Sequence, residues 1–276
     1  MLKKEVITSR NNPLVKWASS LADKKGRSEN KAFLAEGIKL TLEAIRAKLP
    51  VSHIFISESA LDTYLLRITE GLSNSDMKQT DIYIVSDSAF EKISTEKSPQ
   101  GVISVIKYLD FFFNNSIIYK EDFFLGKEEN AMALFSVRDP SNLGAVIRSA
   151  VAFNITHIIL SADCADVYNP KTLRSAMGSL FNIRITRVAS FSDFVIAAKS
   201  SGRRVFAAEL RDGSVSLSDA ELRRDDIIII GNEGHGISED ISALCDNSIF
   251  IPISDRTESL NASVAAAVFM WELNKK

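Results

Sequence analysis

The second half of the chain alternates short apolar segments with helical ones, and this pattern restricts the fold more than any other feature. The apolar segments are nearly continuous, as four successive isoleucines at 227–230 illustrate. Strands of this kind are buried on both faces, which is typical of a mostly parallel sheet covered by helices. We predict strands at 131–137, 158–160, 183–186, 205–208, 227–230 and 249–251, and helices at 143–153, after Asn169-Pro170 and at 262–273.

The first half shows the same alternation on a smaller scale and predicts a separate small α/β unit. Its predicted strands are 33–35, 51–56, 82–85 and 101–106, and its predicted helices are 12–25, one beginning at Ile38, 59–71 and 87–93. Clear periodicity is lost between 107 and 130. We therefore predict a first domain over residues 1–110, a linker over 111–130 and a second domain over 131–276.

Length and composition are those of an ordinary globular protein with enough residues for two cores. The chain has 276 residues, of which 46% are hydrophobic and 25% are charged. No apolar run approaches the roughly 18–20 residues that cross a bilayer. The two cysteines, Cys164 and Cys245, make a disulfide framework improbable and fit a reducing compartment. We expect a cytoplasmic protein with no membrane partner.

The net charge of −2 does not indicate nucleic-acid binding by the chain as a whole. The first 31 residues differ, because eight basic residues there face three acidic ones, an excess of five positive charges. A charged segment of this kind is either a solvated face or a phosphate-binding surface. Its basic residues are Lys3, Lys4, Arg10, Lys16, Lys24, Lys25, Arg27 and Lys31.

The first candidate site segment is DPSNLGAVIR at 139–148. Asn142 lies near a predicted helix start, where its amide can cap free N–H groups, so a helix cap is the plain interpretation. Gly144 in the first helical turn costs up to about 1 kcal/mol relative to alanine, which favours a close approach by a ligand or another backbone. Arg148 lies off the apolar face, so its guanidinium can reach a phosphate or polar substrate.

The second candidate segment is GNEGHG at 231–236. It lacks the order of residues that defines a Walker loop or a Rossmann fingerprint. Three glycines in six residues favour close approach of the main chain to a ligand, because glycine has no Cβ. Glu233 can accept hydrogen bonds from a substrate or orient Arg148. His235 has no Cys or His at metal-ligand spacing, so we predict no metal site.

The third candidate segment joins Ile251-Pro252 to Ser259-Leu260-Asn261, just before an alanine-rich helix. Ser259 or Asn261 can cap that helix, or they can offer polar groups to a ligand next to the apolar Leu260. The sequence shows no Ser–His–Asp order and no paired-carboxylate spacing, so hydrolase chemistry is poorly supported.

In this order and at these spacings, the three segments closely resemble the motifs of the SpoU (TrmH-like) RNA 2′-O-methyltransferases of the SPOUT superfamily. The resemblance covers about residues 131–276. The first half is similar to the family's substrate-binding domain, which resembles ribosomal protein L30e. The segments that carry this second similarity are SRNNP at 9–13, FLAEG at 33–37 and PQG at 99–101.

The resemblance implies an α/β fold with a C-terminal trefoil knot in the parallel-sheet domain, an obligate homodimer, and S-adenosyl-L-methionine bound inside the knot. The cofactor-binding positions that it implies are Gly231, Asn232, Gly236, Ile251 and Leu260. The catalytic or substrate-orienting positions that it implies are Asn142, Arg148, Glu233, Ser259 and Asn261.

The implied reaction is methyl transfer to a ribose 2′-hydroxyl of structured RNA, with ribosomal RNA favoured over transfer RNA. The family's usual proposal makes the residue matching Arg148 the base. A guanidinium remains protonated in proteins, so the other hypothesis is that Arg148 grips a phosphate and stabilises the developing alkoxide. The alternatives are an inactive RNA-binding or ribosome-assembly protein of the same fold and an unrelated nucleotide-binding α/β enzyme.

Two positions depart from the family pattern. The third segment has Asp255 where the family usually has glycine, three residues after its proline. Ala176 takes the place of the usual serine in the stretch after Asn169-Pro170. Neither change removes a predicted catalytic group, but Asp255 adds charge near the predicted cofactor loop.

Overall fold

The computed structural model describes residues 2–109, 117–118 and 129–275. The chain divides into two compact units, Met1–Tyr108 with Asp166–Phe181 and Leu109–Ala165 with Asn182–Lys276. The predicted linker, 111–130, lies almost entirely outside the described residues, so its role stays a prediction.

The sheet of the first unit is mixed. Within the described residues its strands are β1 (Leu2–Ile7), β2 (Ala32–Glu36), β3 (Val51–Ser57), β4 (Asp81–Val85) and β5 (Val102–Lys107). Their order is β1-β4-β3-β5-β2, with β4 parallel to both neighbours and β5 antiparallel to both of its own. The four predicted strands are confirmed. β1 was missed, because its sequence LKKEVI combines three charges with a weak apolar pattern.

Short helices surround this sheet: α1 (Pro13–Ser20), α2 (Lys24–Asn30), α3 (Ile38–Arg46), α4 (Leu61–Gly71), α5 (Asn74–Gln79) and α6 (Asp87–Ile93). The prediction of one helix over 12–25 was wrong at its end. The Asn12 side chain caps α1 by accepting from the Leu14 N–H at 2.9 Å, but α1 ends at Ser20 and the separate helix α2 follows.

The sheet of the second unit is parallel in every pairing between its described strands. The strands are β6 (Ile117–Ile118), β7 (Ala131–Leu134), β8 (His157–Leu160), β9 (Arg184–Val188), β10 (Val205–Ala208), β11 (Val215–Ser216), β12 (Ile227–Ile230) and β13 (Asn247–Phe250). Their order is β11-β13-β10-β12-β7-β8-β9-β6. The four isoleucines of β12 are at most 3% exposed, which confirms the predicted burial on both faces.

The helices of the second half are α7 (Pro140–Ala152), α8 (Pro170–Ala176), α9 (Phe191–Ser200), α10 (Glu239–Ser242) and α11 (Ala262–Asn274). The predicted helices α7, α8 and α11 are confirmed, whereas α9 and α10 were not predicted. α8 belongs to the first unit and the others to the second. No helix among the described residues has the length and apolar character needed to cross a bilayer.

Residues 166–181 pack with the first unit, although the sequence boundaries assign them to the second domain. Arg27 is only 1% exposed, and its guanidinium donates to the Asp166 carboxylate at 2.6 Å. The Tyr168 ring stacks on Phe33 and on Tyr108, with centroids 4.5 and 4.3 Å apart. These contacts depend on side chains far apart in sequence, so strand and helix periodicity could not reveal them.

Candidate active site

A cavity of about 640 Å³ opens where three neighbouring strands of the second unit end. These strands, β13, β10 and β12, are adjacent in the sheet and parallel, so their carboxyl ends meet at one edge. Ligands of open parallel sheets bind at this edge. The lining residues come from the segments 208–210, 230–233, 249–255 and 257–260, from Gly236, and from α11 at Ala262, Ala265 and Phe269.

The loop after β12 folds into a tight hairpin in which the main chains of Asn232 and Gly236 exchange hydrogen bonds of 3.1 and 2.9 Å. A Cβ on Gly231 would lie 2.5 Å from the carbonyl carbon of Gly236 and 2.8 Å from a side-chain carbon of Ile237. Gly236 itself has a φ of 65°, which favours glycine. Gly231 therefore serves a close approach of the main chain to itself, at Gly236, whereas the approach to a ligand that the glycine density indicated stays a prediction.

The Asn232 side chain fixes this hairpin and ties it to the loop after β7. Its Oδ1 accepts from the Gly234 N–H at 2.8 Å, and its Nδ2 donates to the Ser136 carbonyl at 2.8 Å. Asn232 also lines the cavity. Its amide thus organises the two loops, whereas the sequence predicted a cofactor contact for this residue.

The loop after β7 is held in turn by Asp163. Its carboxylate accepts hydrogen bonds from the hydroxyls of Ser136 and Ser161 and from the Arg138 guanidinium at 2.8 Å. Burial would raise the pKa of Asp163, but these hydrogen bonds outweigh it and lower the pKa to about 2. Asp163 is therefore ionised throughout the neutral range and keeps the loop that leads into α7 in place.

The cap of α7 is Asp139, which corrects the plain interpretation of Asn142 as a helix cap. One carboxylate oxygen of Asp139 accepts from the backbone N–H groups of Ser141 and Asn142 at 2.8 and 2.9 Å. Pro140 occupies the first helical position, where its missing N–H is harmless. Because Asp139 satisfies the helix end, the side-chain amide of Asn142 is left for other contacts.

Asn142 joins the other two segments through its amide. Its Nδ2 donates to the Glu233 carboxylate, and its Oδ1 accepts from Asn261 Nδ2 at 3.0 Å. Asn261 is also the cap of α11, because its Oδ1 accepts from the Ser263 N–H at 3.0 Å. These three side chains form a continuous chain of hydrogen bonds, hereafter the polar chain, that begins at the cavity with Glu233.

Most residues that the sequence singled out lie together. The cavity is lined by Gly231, Asn232, Glu233, Gly236, Ile251, Ser259 and Leu260, and the polar chain adds Asn142 and Asn261. Arg148 is the exception. It is exposed on α7, does not line the cavity, and makes no hydrogen bond or ion pair among the contacts of the described residues. The sequence left open whether Glu233 binds a substrate or orients Arg148, and in the structure the Glu233 carboxylate accepts from Asn142 instead of contacting Arg148.

The structure adds Glu209, which sequence reasoning missed. It lines the cavity, and one carboxylate oxygen accepts from the hydroxyls of Ser242 and Ser248, the latter at 2.8 Å. Glu209 lies one residue beyond the end of β10, so its position after a predicted strand could be read from the sequence. Its place beside the other two loops depended on the strand order, which the sequence did not give.

Carboxylates dominate the charge of the cavity wall. Its acidic residues are Glu209, Glu233, Asp255 and Glu258, and the described lining residues include no lysine or arginine. The other lining side chains are largely apolar, among them Leu210, Ile253 and Phe269. An apolar cavity with several carboxylates suits a ligand that is partly apolar and positively charged.

Comparison with known proteins identifies the family to which this chain belongs. The SpoU rRNA Methylase family matches residues 129–271, and the MRM3-like substrate binding domain matches residues 12–104. Because the first match spans more than half of the 276 residues, the chain belongs to the SpoU rRNA methylase family. This confirms the family predicted from the three segments and the substrate-binding domain predicted for the first half.

Similar proteins match over nearly their whole length. The 23S rRNA (guanosine(2553)-2′-O)-methyltransferase RlmP of Bacillus subtilis is 28% identical, with 98% of this chain and 99% of that protein covered. The 23S rRNA (uridine(2479)-2′-O)-methyltransferase of Streptomyces viridochromogenes is also 28% identical, with coverages of 96% and 90%. The AdoMet-bound rRNA methyltransferase from Sinorhizobium meliloti superposes with a TM-score of 0.83 at 26% identity, with coverages of 99% and 98%.

Proposed function

We propose that this chain is an S-adenosyl-L-methionine-dependent methyltransferase that methylates a ribose 2′-hydroxyl in ribosomal RNA. The polar chain at the cavity carries the proposal, because it joins all three motif segments of the family at one place. Two relatives described above are 23S rRNA 2′-O-methyltransferases, which favours ribosomal RNA over transfer RNA.

The cavity fits the proposed cofactor in size and charge. A volume of about 640 Å³ lies in the range of small-molecule sites. The sulfonium and ammonium groups of S-adenosylmethionine are cationic, and the carboxylates of the cavity wall would attract them. The same carboxylates would repel the phosphates of NAD or ATP, which disfavours the alternative of a nucleotide-binding enzyme. The main chain at Gly231 and Ile251 and the side chain of Leu260 would hold the adenosyl part.

Bound S-adenosylmethionine would supply an electrophilic methyl group next to the acceptor sugar. Asn142 and Asn261 orient the Glu233 carboxylate from the side of α7 and α11. From the cavity wall, Glu233 and Ser259 can hydrogen-bond a ribose and align its 2′-hydroxyl. The proposed role of Arg148 is to bind the adjacent RNA phosphate and stabilise the negative charge that develops on the 2′-oxygen.

The exposed position of Arg148 supports a site that is completed by a second copy of the chain. Arg148 follows Asn142 by six residues on α7, about 9 Å along the helix axis. It is also absent from the residues that line the cavity. We propose a homodimer in which Arg148 reaches RNA held partly by the partner. Exposed apolar side chains on α11, Val264 and Trp271, are compatible with such an interface.

Other parts of the family resemblance belong to the same proposal. They are a C-terminal trefoil knot, a cytoplasmic location, and a division of the sequence into residues 1–110, 111–130 and 131–276, except that residues 166–181 pack with the first unit. The loops after β12 and β13 line the same cavity. A cofactor bound inside the knot would need to contact both loops.

The test of cofactor class is calorimetry with three ligands. S-adenosylmethionine should bind with one site per chain, whereas NAD and ATP at the same concentrations should give no binding heat. Binding of NAD or ATP in place of S-adenosylmethionine would reject the proposed function and favour the nucleotide-binding alternative.

Substitution of Glu209 by glutamine should weaken cofactor binding about tenfold. The amide oxygen of glutamine can still accept from Ser242 and Ser248, and the ion pair that is lost, with Arg211 at 3.3 Å, is partly exposed, so the fold should be retained. The change removes a charge that would accept hydrogen bonds from ligand hydroxyls, and bonds to charged groups contribute about 1.5–3 kcal/mol. The measurement is the dissociation constant of S-adenosylmethionine by calorimetry.

The matched control is Asp219→Asn, which removes an exposed carboxylate of the same unit outside the cavity wall. If both variants bound the cofactor as tightly as the unmodified protein, Glu209 would have no part in the site.

A further inference from the structure

Three partly exposed aromatic rings lie in a row on the sheet of the first unit, and the proposed catalytic site does not use them. The row consists of Trp17 on α1, His53 on β3 and Tyr83 on β4, hereafter the aromatic patch. The centroids of Trp17 and His53 are 4.8 Å apart, and those of His53 and Tyr83 are 5.9 Å apart with the rings 17° from parallel. All three side chains are half-buried.

The strand register places this row on one face of the sheet. His53 pairs with Asp81 on β4 and with Val105 on β5, and Phe55 pairs with Tyr83. Paired residues point to the same face, so the rings of His53 and Tyr83 emerge side by side. Phe55 lies beside them on the same face, fully buried and 5.6 Å from Tyr83 between centroids. The aromatic patch therefore continues directly into the hydrophobic core of the first unit.

Hydrogen bonds fix the edges of two rings. Trp17 Nε1 donates to Asn30 Oδ1 at 2.9 Å, and His53 Nδ1 lies 2.9 Å from the Ser52 hydroxyl. Burial lowers the pKa of His53 more than the nearby Asp81 raises it, so the imidazole is neutral at neutral pH. The rings are thus held in defined orientations as uncharged aromatic surfaces.

Basic residues border the aromatic patch. Lys3 on β1 pairs with Tyr83 in the register, and its side chain is 44% exposed although its ammonium group forms an ion pair with Asp81 at 3.3 Å. Lys107 lies two residues beyond Val105 on β5, which puts it on the face that carries His53, and it is exposed. Lys16, which precedes Trp17 on α1, is also exposed. The excess of positive charge in the first 31 residues therefore includes cations beside the aromatic row.

From this arrangement we infer that the aromatic patch is a second RNA-binding site, which stacks unpaired nucleobases while Lys3, Lys16 and Lys107 contact the neighbouring phosphates. Aromatic rings flanked by cations are the means by which proteins hold single-stranded RNA, because every base has a π face. A protein partner would favour a larger apolar surface than three half-buried rings bordered by lysines. The inference rests on the proposed function only in taking RNA as the substrate.

The experiment uses Trp17 as an intrinsic reporter. The chain has two tryptophans, so Trp271→Phe leaves Trp17 as the only one. A single-stranded oligoadenylate of about 12 nucleotides, within the usual range of such sites, is titrated at low salt while tryptophan emission is recorded. Stacking of a base should quench Trp17 emission. His53→Leu and Tyr83→Leu should each weaken binding about tenfold, the expected loss for one stacked base.

Two controls separate stacking from general damage. Tyr83→Phe keeps the ring and should bind as tightly as the parent, whereas Leu66→Ala removes an apolar side chain of the same unit that is 66% exposed and should have no effect. Thermal unfolding of each variant shows whether the fold is retained. The RNA affinity of each leucine variant is compared with that of the Leu66→Ala protein.

Two results would overturn the inference. One is RNA binding without any change of Trp17 emission or any loss in the leucine variants. The other is Trp17 emission that follows protein concentration instead of RNA, which would make the patch an interface between copies of the chain. Either result can occur while the protein still binds S-adenosylmethionine and methylates RNA, so the proposed function would stand.

Discussion

Gly231→Ala is expected to lower the rate of methyl transfer about 100-fold. The added Cβ would meet the Gly236 carbonyl carbon and oxygen at 2.5 and 2.7 Å, and neither is the end of a flexible side chain. The hairpin 231–236 must therefore shift, and Glu233 moves with it. A displacement of about 1 Å at a reacting group can cost about a hundredfold in rate. The measurement is single-turnover transfer of a labelled methyl group to ribosomal RNA.

Gly234→Ala is the matched control in the same hairpin. A Cβ at Gly234 would meet Asn232 Oδ1 at 3.5 Å, which is an ordinary contact. This variant should keep near-normal transfer and a normal unfolding temperature, whereas Gly231→Ala should also lose about 1–3 kcal/mol of stability from overpacking. Equal activity of the two variants would show that the close main-chain approach at Gly231 is not needed for the site.

Arg148→Ala is expected to lower methyl transfer about 100- to 1,000-fold and to leave S-adenosylmethionine binding unchanged. The guanidinium is exposed and does not line the cavity, so its loss should affect neither folding nor the cofactor. A rate loss of this size is typical when one group that stabilises developing negative charge is removed. Transfer rate and cofactor affinity are measured on the same preparation.

Arg224→Ala removes another exposed arginine of the second unit and controls for general loss of positive charge. Arg148→Lys adds a test of mechanism. Partial recovery with lysine indicates phosphate binding or charge stabilisation, because lysine keeps the charge but loses the planar fork. Wild-type rates in Arg148→Ala would remove Arg148 from the proposed mechanism.

Most strands and helices of the fold could be predicted because buried segments have a recognisable pattern of apolar residues in the sequence. Near-continuous apolar segments such as 205–208 and 227–230 are confirmed as the buried parallel strands β10 and β12. The glycine-rich and polar segments that follow such strands lie together at one cavity, since carboxyl ends of parallel strands share an edge. The short charged strand β1 carries no such pattern and was missed.

Side-chain partners were harder to predict than positions. Both Asp139 and Asn142 are good helix caps by type, and the structure shows Asp139 as the cap, which leaves Asn142 to join Glu233 to Asn261. Which partner a polar side chain chooses depends on tertiary distances that a linear pattern does not contain. The same reason hid Glu209, and it hid the buried pair of Arg27 and Asp166 that holds residues 166–181 in the first unit.

The structure places both departures from the family pattern, Asp255 and Ala176. Asp255 is the one at the cavity. Asp255 is exposed on the loop after β13 and lines the cavity together with Glu258. Its carboxylate adds to the negative charge that favours a cationic cofactor, so the substitution is compatible with the proposed site. Ala176 is fully buried in α8, where a serine hydroxyl would need a hydrogen-bond partner.

The most direct measurement is the chemical position of the transferred methyl group. Ribosomal RNA that lacks the modification is incubated with the protein and methyl-labelled S-adenosylmethionine, digested to nucleosides, and separated by chromatography with mass detection. We expect label in a 2′-O-methylated nucleoside, and labelling about 100- to 1,000-fold slower when Arg148 is replaced by alanine. Label on a base, or transfer that the Arg148→Ala and Gly231→Ala proteins carry out at the normal rate, would contradict this expectation.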